Sequence, residues 1–128
     1  MSIEQTLVEP GIIRISVPDD FILDVECAHA MRLKNLELSG GRKFCVLLDT
    51  RNGYFTTTPE AFKTLASPEF LFNRLGTAII VSSLATRLIG NFFKGLNGQA
   101  SPTRLFTSEQ EALKWLRGLI MKSMDILD

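Results

Sequence analysis

The sequence predicts a single α/β domain with a mixed, mostly parallel sheet, an N-terminal antiparallel hairpin and about four to five helices. Two apolar runs, Phe44–Leu48 and Ala78–Val81, show no alternation, which is typical of strands covered on both faces. Segments with helical spacing of apolar residues separate these strands, and that order requires crossover connections. The 128 residues suffice to bury one core, so we expect one domain over residues 1–128.

The first two strands are short and β-branched. Ile3–Val8 and Ile12–Val17 flank Glu9-Pro10-Gly11, and Pro followed by Gly suits the central positions of a type II turn. These runs therefore predict the antiparallel hairpin.

The first helix is predicted after Pro18-Asp19-Asp20, which offers a carboxylate N-cap, and it runs to about Leu38 before Ser39-Gly40-Gly41. Its inward face is predicted to carry Ile22, Val25, Leu33 and Leu36.

Two short helices are predicted between the apolar strands. Thr58-Pro59-Glu60 is a helix start with Pro at the first helical position, and Ser67-Pro68 starts a second helix that runs to about Leu75. After Val81, Ser82 or Ser83 caps another helix, which Asn97-Gly98 ends. Its apolar positions follow the three-four repeat: Ala85, Leu88, Ile89, Phe92, Phe93 and Leu96.

The last elements are a strand and a helix. Thr103–Phe106 is a short strand, and Ser108-Glu109-Gln110-Glu111 has the spacing of a capping box. Residues 123–128 keep an apolar rhythm, and we expect them to extend the last helix. We expect this tail to pair with a second copy or to fold back on the sheet edge, with a homodimer favoured. The buried stripe of the helix is predicted to hold Ala112, Leu113, Leu116, Leu119 and Ile120, with Trp115 at its edge.

Charge and hydropathy exclude several classes of protein. Fourteen basic and fourteen acidic residues leave no net charge, so no global field favours nucleic acid or an anionic bilayer. The amino terminus lacks a basic segment followed by an apolar run, and no apolar window is long enough to span a membrane. We therefore expect a cytoplasmic protein.

The residues that usually carry chemistry are few. Cys27 and Cys45 lie in apolar stretches and are expected to be buried thiols without a bridge. His29 is the only histidine and has no nucleophile or carboxylate at a recognisable spacing, so we expect a structural role and no metal site. Ser39–Lys43 follows a helix, the reverse of a phosphate loop. We predict no cofactor and no enzyme activity.

Four segments carry a resemblance to a known family: Val46-Leu47-Leu48-Asp49, Thr58-Pro59-Glu60-Ala61, Gly90-Asn91-Phe92-Phe93 and the stretch over residues 105–116. Together with the element order, they resemble the bacterial STAS-like (SpoIIAA-like) proteins over nearly the whole chain. The closing segment, which ends in Ala112-Leu113-Lys114-Trp115-Leu116, looks most like uncharacterised members, mainly from Bacteroidetes.

The resemblance implies a regulatory role. In the anti-sigma-factor antagonists of this fold, a strand ending in Asp leads to a Ser at the next helix start, and phosphorylation of that Ser switches partner binding. Asp49 matches the strand end, and Thr56, Thr57 and Thr58 stand where those antagonists have Asp-Ser-Ser. The resemblance thus implies a non-enzymatic protein-interaction module with a protein partner still to be identified. The alternative is a protein of the same fold that binds a small lipid, an apolar acid or another small apolar or anionic ligand.

The candidate binding surface is the carboxyl edge of the parallel sheet, where open α/β sheets usually bind ligands. Asp49 either contacts a ligand or accepts backbone N–H groups of the following loop. The threonines either bind an anion at a helix amino terminus or cap the helix only. Tyr54 and Phe55 either form an apolar lip or fold back onto the core. The predicted residues are Asp49, Arg51, Tyr54, Phe55, Thr56, Thr57 and Thr58.

Three further polar residues are predicted to share one face of the helix after Val81. Arg87, Asn91 and Lys94 recur at helical spacing and, with Arg51, frame an anion site or fill a solvated face.

Overall fold

The computed structural model describes residues 3–51, 55–82 and 101–127. Within these ranges the chain forms seven strands and four helices. The strands are β1 Glu4–Glu9, β2 Ile12–Ser16, β3 Phe21–Leu23, β4 Phe44–Asp49, β5 Phe55–Thr57, β6 Arg74–Ile80 and β7 Thr103–Phe106. The helices are α1 Val25–Ser39, α2 Pro59–Leu65, α3 Pro68–Leu71 and α4 Glu109–Leu127.

Five strands form the main sheet, in the order β1-β2-β4-β6-β7. β1 and β2 pair antiparallel, and the three other pairs are parallel. β3 and β5 form a separate two-stranded parallel sheet. The predicted fold class, a mixed and mostly parallel α/β domain with an N-terminal hairpin, is confirmed.

Alternating side chains of the sheet build one core cluster on each face. Ile13, Ile15 and Val46 pack with residues of α1, α2 and α3. Ile12 and Leu47 point the other way and pack against α4. This division follows from the two-residue period of a strand, and it explains why β4 is apolar without interruption.

The turn between β1 and β2 requires glycine. Gly11 has a φ of 85°, in the left-handed region that other residues rarely adopt. A Cβ at this position would also lie 3.1 Å from Cδ1 of Ile120 in α4. The tight turn therefore lets the last helix pack close to the hairpin.

α1 does not bury the face that its leucines predict. Leu33 and Leu36 are exposed, and the helix buries Ala28, Met31 and Asn35 instead. Asn35 can be buried because its Oδ1 accepts a hydrogen bond of 2.8 Å from Nε2 of Gln5. A satisfied polar residue thus takes an inward position, which an apolar pattern alone assigns wrongly.

The start of α1 also differs from the prediction. The residues after the Asp19-Asp20 turn form β3, in which Ile22 is exposed, and Asp24 caps the helix by accepting a hydrogen bond from Cys27 N at 2.8 Å. Asp20 and Asp24 could each cap a helix in this stretch. Because the residues between them form β3 and pair with β5, the helix begins after Asp24. Similarly, α3 ends at Leu71, because Arg74 and the residues after it join β6.

α4 follows the predicted stripe. Ala112 and Leu116 are fully buried, and Ser108 Oγ accepts a hydrogen bond from Glu111 N at 3.4 Å. Trp115 is half-buried at the edge of the cluster, with its ring centroid 5.6 Å from that of Phe106.

Both cysteines are free thiols. Cys45 is fully buried, as predicted, whereas Cys27 in the first turn of α1 is only half-buried. The helix predicted after Val81, with Ser82 or Ser83 as its cap and Arg87, Asn91 and Lys94 as its polar residues, lies outside the described residues from Ser83 onward. In the described part of the chain, no helix is long and apolar enough to cross a membrane.

Candidate functional site

Asp49 lies at the carboxyl end of β4, opposite Ser16 of β2. Leu47, two residues earlier, faces α4, so the Asp49 side chain points towards the start of that helix. Only 6% of this side chain is exposed. Among the described residues it is the one buried carboxylate, and its partners therefore decide what this end of the sheet can do.

Arg51 pairs with Asp49 through the edge of its guanidinium. Nε donates to one carboxylate oxygen and Nη2 to the other, each at 2.9 Å. The backbone N–H of Arg51 donates to Oδ1 of Asp49 at 3.0 Å. Asp49 thus accepts a backbone N–H of the following loop, one of the two roles expected for it, and it also fixes the only basic side chain of that loop.

Arg14 reaches the same carboxylate from β2. Its Nη2 donates to Oδ2 of Asp49 and, at 2.9 Å, to Oε1 of Glu109 in the first turn of α4. Nη1 donates to Ser16 Oγ. Glu109 Oε1 also lies 3.3 Å from Nη2 of Arg51. The result is a neutral cluster of two arginines and two carboxylates, called here the ion cluster: Arg14, Asp49, Arg51 and Glu109.

The ion cluster holds Asp49 in its charged form. Burial alone would raise the pKa of Asp49, but hydrogen bonds from Arg51 and Arg14 outweigh it and lower the pKa to about 2. Burial opposes the charge of Arg14 as well, yet its bonds to Glu109 and Asp49 raise the pKa of Arg14 above the ordinary value. The charges of Asp49 and Arg14 therefore persist at neutral pH.

This electrostatic state limits the chemistry of the site. A general acid or base works best with a pKa near the working pH, and Asp49 lies about five units below it. The Cys45 thiol is equally unsuited to nucleophilic attack, because burial raises its pKa to about 12. His29 is exposed, and the described residues contain no group of three or more His, Cys, Asp or Glu side chains that could hold a metal ion.

The threonine segment belongs to the two-stranded sheet and adds no side chain to the ion cluster. Phe55, Thr56 and Thr57 form β5 rather than the beginning of a helix, and only Thr58 caps α2. Thr58 Oγ1 accepts from Ala61 N at 3.1 Å, and Thr58 N donates to Leu23 O of β3 at 3.1 Å. The predicted capping role of Thr58 is thus confirmed.

The β3–β5 pair places two helix starts next to each other. Leu23 and Thr57 are partners in this parallel pair, and the residue after each of them caps a helix: Asp24 caps α1 and Thr58 caps α2. Thr56 is exposed and Thr57 is half-buried. Tyr54 lies outside the described residues, as does the side chain of Phe55.

The structure therefore brings together Asp49 and Arg51 among the predicted residues, and it adds two that sequence reasoning missed. Arg14 lies 35 residues before Asp49 in the chain and 95 residues before Glu109. The signal for Arg14 was its position inside the apolar run Ile12–Val17, where a charged residue has to find a partner. Glu109 carries no comparable signal.

The comparisons with known proteins give a family and a fold. The family model of a domain of unknown function, DUF7793, matches residues 6–120. No curated protein matches the sequence.

Two solved structures are similar over most of their length. One is an uncharacterised protein of the DUF3478 family with a SpoIIAA-like fold from Shewanella loihica PV-4; it is 17% identical, the match covers 90% of this chain and 92% of that chain, and the TM-score is 0.58. The other is the anti-sigma factor antagonist SpoIIAA in its unphosphorylated form; it is 15% identical, with 91% and 99% covered and a TM-score of 0.56. This chain therefore has the SpoIIAA-like fold.

Proposed function

This chain belongs to the DUF7793 family, and from that premise we propose that it is a non-enzymatic regulatory domain that acts by binding a protein partner. The proposed binding surface comprises the exposed side of the ion cluster, at Arg51 and Glu109, and the segment Thr56–Thr58. The family is one of unknown function, so the proposal rests on the geometry of this chain.

The observation that carries the proposal is the pairing of Asp49 with two arginines. The carboxyl end of a parallel sheet is the usual place for a catalytic or ligand-binding group, and a buried carboxylate there is a natural candidate for that role. Here Arg14 and Arg51 occupy its oxygens and keep it ionised. The cluster fixes β2, β4, the loop after β4 and the start of α4 relative to one another. The ion cluster is therefore better suited to fix the conformation of a binding surface than to carry out acid–base or nucleophilic chemistry.

The exposed groups of this surface are suited to a polar partner. Arg51 and Glu109 are 40% and 39% exposed, so each keeps one side towards solvent while the other side binds within the cluster. Thr56 is exposed on β5, and the hydroxyl of Thr58 lies at the amino terminus of α2. A phosphate on Thr58 would gain from the helix dipole and would add charge to the surface, as a switch in partner binding requires.

The fold also supports a regulatory role. SpoIIAA, which shares the fold, is an anti-sigma factor antagonist, and its structure is of the unphosphorylated form. A regulatory role for the present chain agrees with that example.

Photo-crosslinking tests the proposal. We would replace the exposed Thr56 with benzoylphenylalanine and irradiate the protein in an extract of its source cells. The matched control carries the same group at Arg42, which is exposed and precedes β4, at the opposite end of the sheet. We expect one dominant protein adduct from position 56 and none of that mass from position 42. Equal adducts at both positions, or none at position 56, would contradict the proposal.

We further propose that the carboxyl-terminal part of α4 pairs with a second copy of the chain. Met121 and Met124 are three residues apart on one side of the helix, and they are 65% and 62% exposed. Two large apolar side chains on one exposed face support pairing with another apolar face.

A further inference from the structure

A cavity of about 60 Å³ lies on the sheet face that carries α1, α2 and α3, separate from the ion cluster. Its wall is mostly apolar and includes Leu48, Met31 and Phe70. A few polar side chains are placed along it, namely Arg74, Thr77, Ser101 and Thr103. An apolar cavity with few polar groups is the usual form of a small-ligand site.

Arg74 brings a buried cation to this cavity. Its Nη1 donates to Thr77 Oγ1 at 3.3 Å. Its Nε and Nη2 are both enclosed, and neither has a hydrogen-bond partner, although the residue as a whole keeps some exposure. Buried guanidinium N–H groups are almost always bonded, so this edge requires an explanation.

The free edge of Arg74 is the edge that binds carboxylates elsewhere in this protein. Arg51 uses Nε and Nη2 to hold Asp49, and Arg117 uses Nε and Nη2 to hold Glu9 at 2.8 and 2.9 Å. These two atoms donate in parallel, at the spacing of the two oxygens of a carboxylate. In Arg74 the same pair of donors has no partner, and Arg74 is one of the residues that line the cavity.

The surroundings of Arg74 compensate its charge only in part. The guanidinium carbon lies 4.8 Å from the ring centre of Phe70 and 5.8 Å from that of Phe44, so two aromatic faces stabilise the cation. Burial lowers the pKa of Arg74 to about 10, which still leaves it protonated at neutral pH. Among the described residues, the titratable group that acts on the charge of Arg74 is the Cys45 thiol, which is neutral at that pH. An anion is therefore the missing partner.

Ser101 gives a second, independent indication. Its Oγ is buried without a hydrogen-bond partner, and it lines the same cavity. A hydroxyl can donate to a carboxylate oxygen that two arginine N–H groups also approach. We propose that this cavity binds a small monocarboxylate with a short apolar chain, whose carboxylate pairs with Nε and Nη2 of Arg74 and whose chain lies among the apolar wall residues.

The size of the cavity sets the size of the ligand. A volume of about 60 Å³ for water-sized groups holds roughly four to six such groups, which corresponds to a carboxylate of about two to four carbons once its two oxygens are counted. Propionate and butyrate are therefore the probes. Butanol tests for the apolar chain without the charge, and inorganic phosphate tests for the charge without the chain.

The experiment measures the melting temperature and the saturation-transfer NMR spectrum of the full chain with each probe at millimolar concentration. We expect propionate or butyrate to raise the melting temperature by several degrees and to show saturation transfer to its methyl group, whereas butanol and phosphate do neither. Phosphate that stabilises the protein better than both carboxylates would overturn the assignment of a carboxylate. Absence of any effect of propionate and butyrate would overturn the proposal itself.

Two arginine variants separate ligand binding from a structural role. Arg74→Met should abolish the shift caused by the carboxylate, because it removes both free donors. Arg104→Met is the matched control, since Arg104 also lies over an aromatic ring, 5.4 Å from the centre of Phe106, but does not line the cavity. The control should keep the full shift. If Arg74→Met fails to fold, Ser101→Ala replaces it and should reduce the affinity for butyrate several-fold. An unchanged affinity in the folded Arg74→Met protein would contradict the proposal.

Discussion

Arg51 and Asp49 form a side-on pair in which Nε and Nη2 each lie 2.9 Å from a different carboxylate oxygen, and the backbone N–H of Arg51 adds a third bond at 3.0 Å. Two residues apart in the chain, they close the loop after β4 on itself. Arg14 then ties this loop to β2, and Glu109 ties it to α4. The carboxyl edge of the sheet is thus fixed by charges that are all satisfied internally.

The stability of the protein should depend on pH through Asp49. The folded pKa of about 2 lies below the ordinary value of 3.8, so the stabilisation is complete above pH 4 and is lost as the pH falls towards 2. The shift corresponds to about 2 kcal/mol in the free energy of unfolding. Asp49→Asn should therefore destabilise the protein at pH 7 by at least this amount and by much less near pH 2, as measured by urea unfolding at both values. An equal destabilisation at both pH values would contradict the account.

The two arginines of the ion cluster should contribute unequally. Arg14 is 24% exposed and bonds Asp49, Glu109 and Ser16, whereas Arg51 is 40% exposed. Arg14→Met should lower the free energy of unfolding by about 2 to 3 kcal/mol, because it leaves a buried carboxylate with one cation. Arg51→Met should cost about 1 kcal/mol or less, as exposed ion pairs usually do. Urea unfolding of both variants measures the two losses in the free energy of unfolding. A larger loss for Arg51→Met than for Arg14→Met would contradict this prediction.

The two thiols should react at different rates. Burial raises the pKa of Cys45 to about 12, and it raises the pKa of the half-buried Cys27 as well. Because only thiolates react and Cys45 is fully enclosed, iodoacetamide at pH 8 should modify Cys27 first. Mass spectrometry of the time course measures this, with the urea-unfolded protein as the control in which both react. Faster modification of Cys45 would show that the α4 side of the core opens readily.

The proposed pairing through α4 should be sensitive to charge at its two exposed methionines. We expect the wild type to sediment as a dimer, and we expect Met121→Glu combined with Met124→Glu to sediment as a folded monomer. Lys122→Glu places a carboxylate on the same turn and is the control that should remain a dimer. A monomeric wild type would refute the pairing.

The sequence is informative about the fold wherever a local signal decides the structure. The unbroken apolar run of β4, the Pro10-Gly11 turn and the Thr58 cap each depend on residues within a few positions of one another, and the structure has all three. The inward face of α1 depends instead on Gln5, which lies 30 residues from Asn35 and satisfies it. No periodicity in the helix itself reports such a partner.

The candidate site shows the same division. Asp49 could be found because the end of a parallel strand is a known place for a functional group. Its state could not be predicted, because Arg14 and Glu109 reach it only through the tertiary fold. The sequence predicts a helix over Arg74, and its free guanidinium edge becomes apparent only once β6 and the cavity are in place.

The protein offers a matched pair of sites for testing whether the Thr58 end is the working surface. Thr58-Pro59-Glu60 and Ser67-Pro68-Glu69 are both caps followed by Pro and Glu, and each cap oxygen accepts a backbone N–H three residues on, at 3.1 and 3.2 Å. Aspartate retains the capping function at either position, so neither Thr58→Asp nor Ser67→Asp should change the melting temperature appreciably.

The most direct test of the central claim is the dissociation constant of the partner captured at position 56, measured by titration calorimetry for wild type, Thr58→Asp and Ser67→Asp. If the protein acts by binding a partner through this surface, Thr58→Asp should change the dissociation constant at least tenfold, or about 1.4 kcal/mol, and Ser67→Asp should leave it as in the wild type. Identical dissociation constants for all three folded proteins would contradict the account.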